Sequence, residues 1–411
     1  MGNFSIALSG LQADSVALNT IGNNLANLNT TAYKGQTTSF EDLFYQQIGE
    51  SGSGDAIQVG AGTRVSGTST DFTEGTILPD SNVNSADMAL AGNGFFVVEQ
   101  GGVQSLTRAG NFQLSSSGSL ITQDGQQVMG YAAVNGVVNQ NSSLTPITIP
   151  VGLNEGAQAT QNFSLTTNLN SNATVGTTFS SPVQIFDSLG QSHQATVSYT
   201  KTATNTWDYS ISLAAGDATG VPTNNTGTLT FDSFGNLVSP SGSVNNITFP
   251  GLSDGASDLS FNWNLNNSSG TPTISQLAAA SSNTGSKQDG FTSGVYQSFV
   301  VDSSGVITAQ FSNGRTSTIG QLAVATVANT AGLLVSGGNN FTTTAASGLA
   351  TVGVAGAGGR GTIDDGALEQ SNVNISTEFS NLIVAQRAFE ANSKTVTTFD
   401  TISQDVMAMV R

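Results

Sequence analysis

Residues 365–410 read DGALEQSNVNISTEFSNLIVAQRAFEANSKTVTTFDTISQDVMAMV, and within them Leu368, Ile375, Leu382, Phe389 and Val396 recur at intervals of seven. Phe379, Phe399, Ile402, Val406 and Met409 stand beside that row, so the segment carries one apolar stripe of helical period. The spacing predicts a helix from about Asp365 to Val410, roughly 65 to 70 Å long at ~1.5 Å per residue. A helix of that length is too long for most globular cores and needs a partner for its stripe.

The opposite end of the chain supplies a candidate. Phe4, Leu11, Leu18 and Leu25 repeat every seven residues, Ala7, Ile21 and Leu28 fill most positions three further on, and Asp14 interrupts the inner row. Two such rows predict N- and C-terminal helices that pair as a coiled-coil-like domain. The competing reading is that each stripe packs on the core of its own domain, as amphipathic helices usually do. The matching heptads at both ends argue against it.

The middle is built differently. All eight prolines fall between Pro79 and Pro272, which leaves both ends free of the residue that most strongly breaks helices. Alternating runs such as Ser181-Pro182-Val183-Gln184-Ile185-Phe186 and Ala195-Thr196-Val197-Ser198-Tyr199 predict strands. A turn signature recurs as Phe186-Asp187-Ser188-Leu189-Gly190, Phe231-Asp232-Ser233-Phe234-Gly235 and Val301-Asp302-Ser303-Ser304-Gly305, with Leu114-Ser115-Ser116-Ser117-Gly118 a weaker relative. In each, Asp or Ser opens the turn on backbone N–H groups and Gly closes it in the left-handed region. Their uneven spacing predicts hairpins, not a solenoid. The fold class is therefore mainly β with α-helical termini.

At 411 residues the chain exceeds a single core, so several domains are expected. Its 27 acidic against 10 basic residues, a net charge of -17, exclude the basic footprint of a nucleic-acid or anionic-membrane partner. Only 9% of residues are charged, so the surface is solvated by hydroxyls and amides, as suits a chain packed against copies of itself. No cysteine is present, which removes disulfides, thiolate metal sites and thiol nucleophiles. The first basic residue is Lys34 and no run reaches the ~18 apolar residues of a membrane span, so neither a cleavable signal nor membrane insertion is expected.

Catalytic chemistry finds little to work with. His193 is the only histidine, which excludes a multi-histidine metal site, and a lone histidine beside a turn is expected to be solvated. Residues Gly356-Ala357-Gly358-Gly359-Arg360-Gly361 match the dinucleotide fingerprint in form, but no alternating strand-helix units surround them, and a connector is expected. Paired carboxylates could serve glycan cleavage, with Asp187, Asp208, Asp232 and Asp258 in the β region, although turn formation accounts for at least two of them. No cofactor and no metal are expected.

Ser9-Gly10-Leu11, Ile21-Gly22-Asn23-Asn24-Leu25-Ala26-Asn27 and Thr31-Ala32-Tyr33-Lys34 closely resemble the N-terminal signature of the flagellar rod and hook protein family. Gly366-Ala367-Leu368-Glu369, Ser371-Asn372-Val373 and Ile383-Val384-Ala385-Gln386-Arg387-Ala388-Phe389-Glu390-Ala391-Asn392 resemble its C-terminal signature. Inside, Gly94-Phe95-Phe96-Val97-Val98, Thr107-Arg108-Ala109-Gly110-Asn111-Phe112 and Gly130-Tyr131 resemble its shared β domain. Ala32 stands where the family usually has Gly, a departure that strains the turn if positive φ is needed there.

The resemblance, with a chain longer than the distal-rod members, implies a hook subunit that polymerises with itself into a helical, flexible joint between rod and filament. It implies terminal helices at 1–30 and 365–411 lining an inner tube, a linker at 31–70, an inner β domain at 71–145 and 285–364, and an outer inserted β domain at 146–284. The implied interface seams are Phe4, Leu11, Leu18, Ile21, Leu25, Leu28, Ile375, Phe379, Leu382, Phe389, Val396, Phe399 and Val406. Asn23, Asn24, Ala26, Asn27, Lys34, Gln386, Arg387 and Asn392 carry the family motif. Implied partners are the distal rod protein, the hook cap, the hook-filament junction proteins and the flagellar type III export apparatus, with an extracellular destination. A junction or distal-rod role, or a secreted glycan-binding or glycan-cleaving β protein, are the alternatives.

Overall fold

Asparagines set the limits of both terminal helices. A computed structural model describes residues 2–50, 52, 55–79, 86–152 and 154–409. Helix α1 spans Gly2–Ala26, and just beyond it Asn27 folds back, its Nδ2 donating to the Asn23 carbonyl at 2.9 Å while its Oδ1 accepts from Thr30 Oγ1 at 3.0 Å. Helix α2 spans Ile375–Met409, capped by Asn374, whose Oδ1 accepts from the N–H groups of Ser376 and Thr377 at 2.9 and 3.2 Å. Glu378 in the first turn complements the helix dipole.

α2 starts ten residues later than the heptad spacing predicts, and Val410 lies outside the described residues. Thr362–Asp365 and Ala367–Glu369 are strands, not helix. The first pairs antiparallel with Met88–Ala91 and the second with Ile77–Pro79. Their backbone groups are satisfied by those ladders, and Leu368 drops out of the helical stripe. Leu28, likewise, lies in the turn after α1.

Most of the described residues in 31–70 lie in paired strands and do not form an open linker. Strand β1 (Gln36–Asp42) runs antiparallel to β4 (Thr63–Thr70), and β2 (Tyr45–Glu50) to β3 (Ala56–Gly60), and β1 and β4 pack on α1. Ala32 takes φ of 54° in the turn that leads into β1 and is almost wholly buried, so the position does require the left-handed region.

Two compact units follow from the contacts. One comprises 1–151, 298–309 and 317–411, the other 152–297 and 310–316. In the first, after β5 (Ile77–Pro79) and β6 (Met88–Ala91), strands β7 (Phe95–Gln100) and β8 (Val103–Thr107) form a hairpin flanked by Gln127–Val134. Phe72, Phe95 and Phe341 meet there at ring-centroid distances of 5.1 to 5.7 Å.

The second unit is a two-sheet sandwich. Thr178–Phe186, Ser192–Ala203, Thr206–Leu213, Thr226–Phe231 and Leu237–Ser239 form an antiparallel meander in chain order. A mixed sheet of Val244–Phe249, Leu259–Trp263, Asn162–Asn170, Ile274–Leu277 and Ser282–Gln288 supplies the other layer. Alternate residues point inward, and Trp207, Trp263, Tyr199, Phe163, Phe249 and Phe261 are fully buried between the sheets.

The recurring turns form as expected. Asp187, Asp232 and Asp302 each accept two backbone N–H groups on Oδ1, and the closing Gly190, Gly235 and Gly305 sit at φ of 83° to 85°. Ser115 Oγ accepts from Ser119 N at 3.0 Å in the weaker relative. Residues 356–361 lead into a strand and not into a helix, which removes the dinucleotide reading. His193 differs from the expectation. It lies on an inward position of Ser192–Ala203 and is 6% exposed, held by carboxylates instead of water.

Candidate functional site

The helices meet closely at Gly10. Ala7, Gly10 and Ala13 are buried on α1, and a Cβ added to Gly10 would come within 2.6 Å of Asn392 Nδ2. Asn392 Nδ2 instead donates to Asp14 Oδ2 at 2.8 Å. That bond explains an acidic residue inside an apolar row. A groove of about 360 Å³ runs between α1, α2 and β1, with Ile21, Phe40, Glu378 and Ala385 on its walls.

The large residues of the heptad rows are only partly covered. Leu11, Leu18, Ile21, Leu25, Leu28, Leu382, Val396 and Phe399 are half-buried. Phe4, Ile375, Phe379, Phe389 and Val406 are exposed by 37 to 50%. No described residue of α2 is fully buried. The heptad rows are therefore brought together along one edge only, and much of their apolar surface faces outward.

The N-terminal motif asparagines have identifiable duties. Asn24 is buried, its Nδ2 donating to the Gln36 carbonyl at 2.7 Å and its Oδ1 accepting from Gln36 N at 2.9 Å, so its amide pairs with the start of β1 as another strand would. Asn23 Nδ2 donates to Tyr33 Oη at 3.0 Å, and burial, assisted by Glu378, pushes the Tyr33 phenol up from its ordinary range. Ala26 is the last residue of α1. On α2, Gln386 is exposed and Arg387 forms only an exposed ion pair with Glu390 at 3.1 Å, of little weight.

Lys34 belongs to a buried charge network that composition alone would not reveal. Lys34 Nζ lies 2.7 Å from Glu369 Oε1 and donates to the Thr73 carbonyl, also at 2.7 Å. Arg108 Nε lies 3.0 Å from Glu369 Oε2, while its Nη atoms donate to the carbonyls of Leu90, Gly92 and Gly94. Burial lowers the Lys34 ammonium below its ordinary value, against the pull of Glu369. Asn372 completes the joint by accepting from Gly35 N at 2.8 Å and donating to the Asp71 carbonyl at 2.8 Å. Residues that follow α1 and precede α2 are thus locked to one rigid β support.

The carboxylates considered for glycan chemistry are engaged otherwise. Asp187 and Asp232 hold turns, Asp208 accepts from Thr228 Oγ1 at 2.8 Å and Asp258 from Gly251 N at 3.0 Å. Among the described residues no helix is long and apolar enough to cross a membrane.

Known proteins match along the whole chain. Residues 4–34 match the flagella basal body rod protein family and residues 364–409 the flagellar basal body rod FlgEFG protein C-terminal family. Residues 89–168 match the flagellar hook protein FlgE/F/G D1 domain, and 157–291 the flagellar basal body protein FlaE D2 domain. Flagellar hook protein FlgE of Salmonella typhimurium is 35% identical, covering 97% of this chain and 98% of its own length. The protein of the same name from Treponema pallidum is 31% identical over 98% of both chains. The crystal structure of Helicobacter pylori flagellar hook protein FlgE2 superposes with a TM-score of 0.56 at 15% identity, over 71% of this chain and 100% of that one, a likeness of fold.

Proposed function

The chain belongs to the flagellar hook protein family, and from that premise we propose how its geometry serves a structural subunit of the bacterial flagellar hook. The observation that carries the reading is the split stripe. α1 and α2 meet at Gly10 and the Asp14–Asn392 bond, and leave Phe4, Ile375, Phe379, Phe389 and Val406 for neighbouring subunits. Side chains of that size, buried against copies of the same helices, hold a helical homopolymer whose inner tube is the helix layer.

A joint that turns while bent needs contacts that slide. A surface with 9% charged residues offers hydroxyl and amide contacts without strong ion pairs to lock them, and the polymer transmits torque through its helices. The subunit is read as passing through the flagellar type III export apparatus without a cleavable signal and assembling outside the cell. There it meets the distal rod protein, the hook cap and the hook-filament junction proteins. Electron microscopy of basal bodies from a deletion strain tests the assignment: rods without hooks are expected. Hooks of normal length without filaments would instead assign the chain to the junction.

A further inference from the structure

In the unit of residues 152–297, the chain's single histidine is surrounded by carboxylates from separate turns. Asp187 Oδ1 accepts from the N–H groups of Leu189 and Gln191 at 2.8 and 2.9 Å, and Asp254 Oδ1 from Ala256 at 3.0 Å. Their free oxygens converge on His193 Nε2, Asp187 Oδ2 at 2.9 Å and Asp254 Oδ2 at 3.5 Å. Across the ring, Asp217 Oδ2 lies 3.2 Å from Nδ1. Among the described residues no lysine or arginine forms an ion pair with these three carboxylates.

We propose that Asp187, His193 and Asp254 form a binding site for a divalent transition-metal ion of the zinc type, with Asp217 orienting the imidazole. The donor atoms all lie within 4.8 Å of one another. Tetrahedral bonds of about 2.0 to 2.1 Å place ligand atoms about 3.3 Å apart, between the two measured separations. With an ion bound, Asp217, 3.2 Å from Nδ1, would accept the Nδ1 proton and Nε2 would face the ion, the carboxylate-histidine-metal arrangement of bound zinc.

Charge points the same way. Three carboxylates around one imidazolium leave two uncompensated negative charges, whereas a divalent ion with a neutral imidazole leaves one. Turn formation alone does not require the cluster. The sister turn at Asp232 makes the same backbone bonds, but its Oδ2 takes the Asn236 side-chain amide at 3.0 Å. His193 and Asp187 are buried, while the Asp254 side chain is 27% exposed, which opens one side for the ion and for a water as fourth ligand. An imidazole donor favours zinc, cobalt or nickel over magnesium and calcium.

The test uses the full chain, stripped with a chelator and titrated with Zn2+ by calorimetry, with thermal unfolding in parallel. With one histidine and no cysteine in the chain, background binding is low. One equivalent is expected, with a rise in the melting temperature of this unit, no effect of Mg2+, and visible absorption from Co2+ at the same stoichiometry. Asp254→Asn is expected to weaken Zn2+ binding at least about tenfold and Asp217→Asn about 10- to 100-fold. Asp232→Asn should leave it unchanged. Far-UV circular dichroism checks that each variant is folded. Absence of a Zn2+-dependent shift in the wild type would overturn the proposal, as would equal binding by Asp254→Asn and wild type. A melting temperature that responds to pH but not to metal would also overturn it, in favour of a histidinium held by carboxylates alone.

Discussion

Trp263 and Phe389 are both large aromatic residues on regular elements, yet the first is wholly buried and the second is 37% exposed. Trp263 lies in a sandwich that closes on itself, with Phe163 stacked at 5.9 Å and Tyr209 edge-on at 5.1 Å. Phe389 lies on a helix of 35 residues none of whose described members is fully buried. One region completes its core within the chain. The other leaves its apolar row open, and on the proposed reading the hydrophobic effect closes it against copies of the chain by the same physics that folds the sandwich.

The sharpest way to break that contrast is to place a charge on each deferred surface. Phe389→Asp is expected to abolish hook assembly while the β units stay folded, because each subunit loses ~1.5 to 3 kcal/mol of burial and must also desolvate an unpaired charge. Electron microscopy of the mutant strain, with circular dichroism of the monomer, reads both halves. Leu382→Asp should do the same and also loosen the pairing of α1 with α2, since Leu382 is already half-buried in the monomer. Normal hooks from Phe389→Asp would mean that the exposed row is not the interface.

The converse substitution is Trp263→Ala. A fully buried aromatic removed from a packed core costs about 3 to 5 kcal/mol. Urea unfolding of the monomer should show the transition of the sandwich shifted to lower denaturant, with no change in the transition of the unit that holds the helices. If Trp263→Ala moved both transitions equally, the two regions would not be independent in the way their cores suggest.

Between these extremes lies the support of α1. Replacing Asn24 by Ala leaves the N–H and carbonyl of Gln36 without their side-chain partners, at a cost of about 1 to 3 kcal/mol if water cannot reach them. Faster hydrogen exchange at the start of β1, without effect in residues 152–297, is the expected signature. Uniform protection in the variant would deny the amide its role.

Much of this contrast is legible in the sequence, and the failures have a common cause. The heptads of α1 and α2 and the Asp-initiated turns depend on neighbours within a few residues, so their pattern survives in the linear chain. The start of α2 does not, because Leu368 falls on the seven-residue spacing yet is claimed by a strand about 290 positions earlier, through antiparallel pairing. The strand pairs within 36–70 are hidden by polar strands whose alternation is weak. The stripe itself predicts burial but not by whom, and it took the buried Gly10 and Asn392 to separate the helix-helix edge from the exposed one. The surroundings of His193 were illegible because Asp217 and Asp254 come from distant turns.

The smallest expected effect concerns Lys34, whose charge is buried between the segment after α1 and the segment before α2. Burial lowers its pKa below the ordinary 10.5, the Glu369 pair only partly offsetting this. In the window just under 10.5 the unfolded chain therefore holds a proton that the folded chain has released. Stability rises with pH wherever the unfolded state binds more protons, so this group should add stability as pH climbs through that window. Lys34→Met removes the titration but leaves Glu369 paired with Arg108. Relative to that variant, the wild type should gain stability between neutral pH and 10.5, measured by urea unfolding at a series of pH values. Because both proteins share every other titrating group, their difference isolates Lys34. A difference that shrinks with pH would mean that the Glu369 bond outweighs burial, and that the base of the helices is held by the ion pair itself and not by the packing around it.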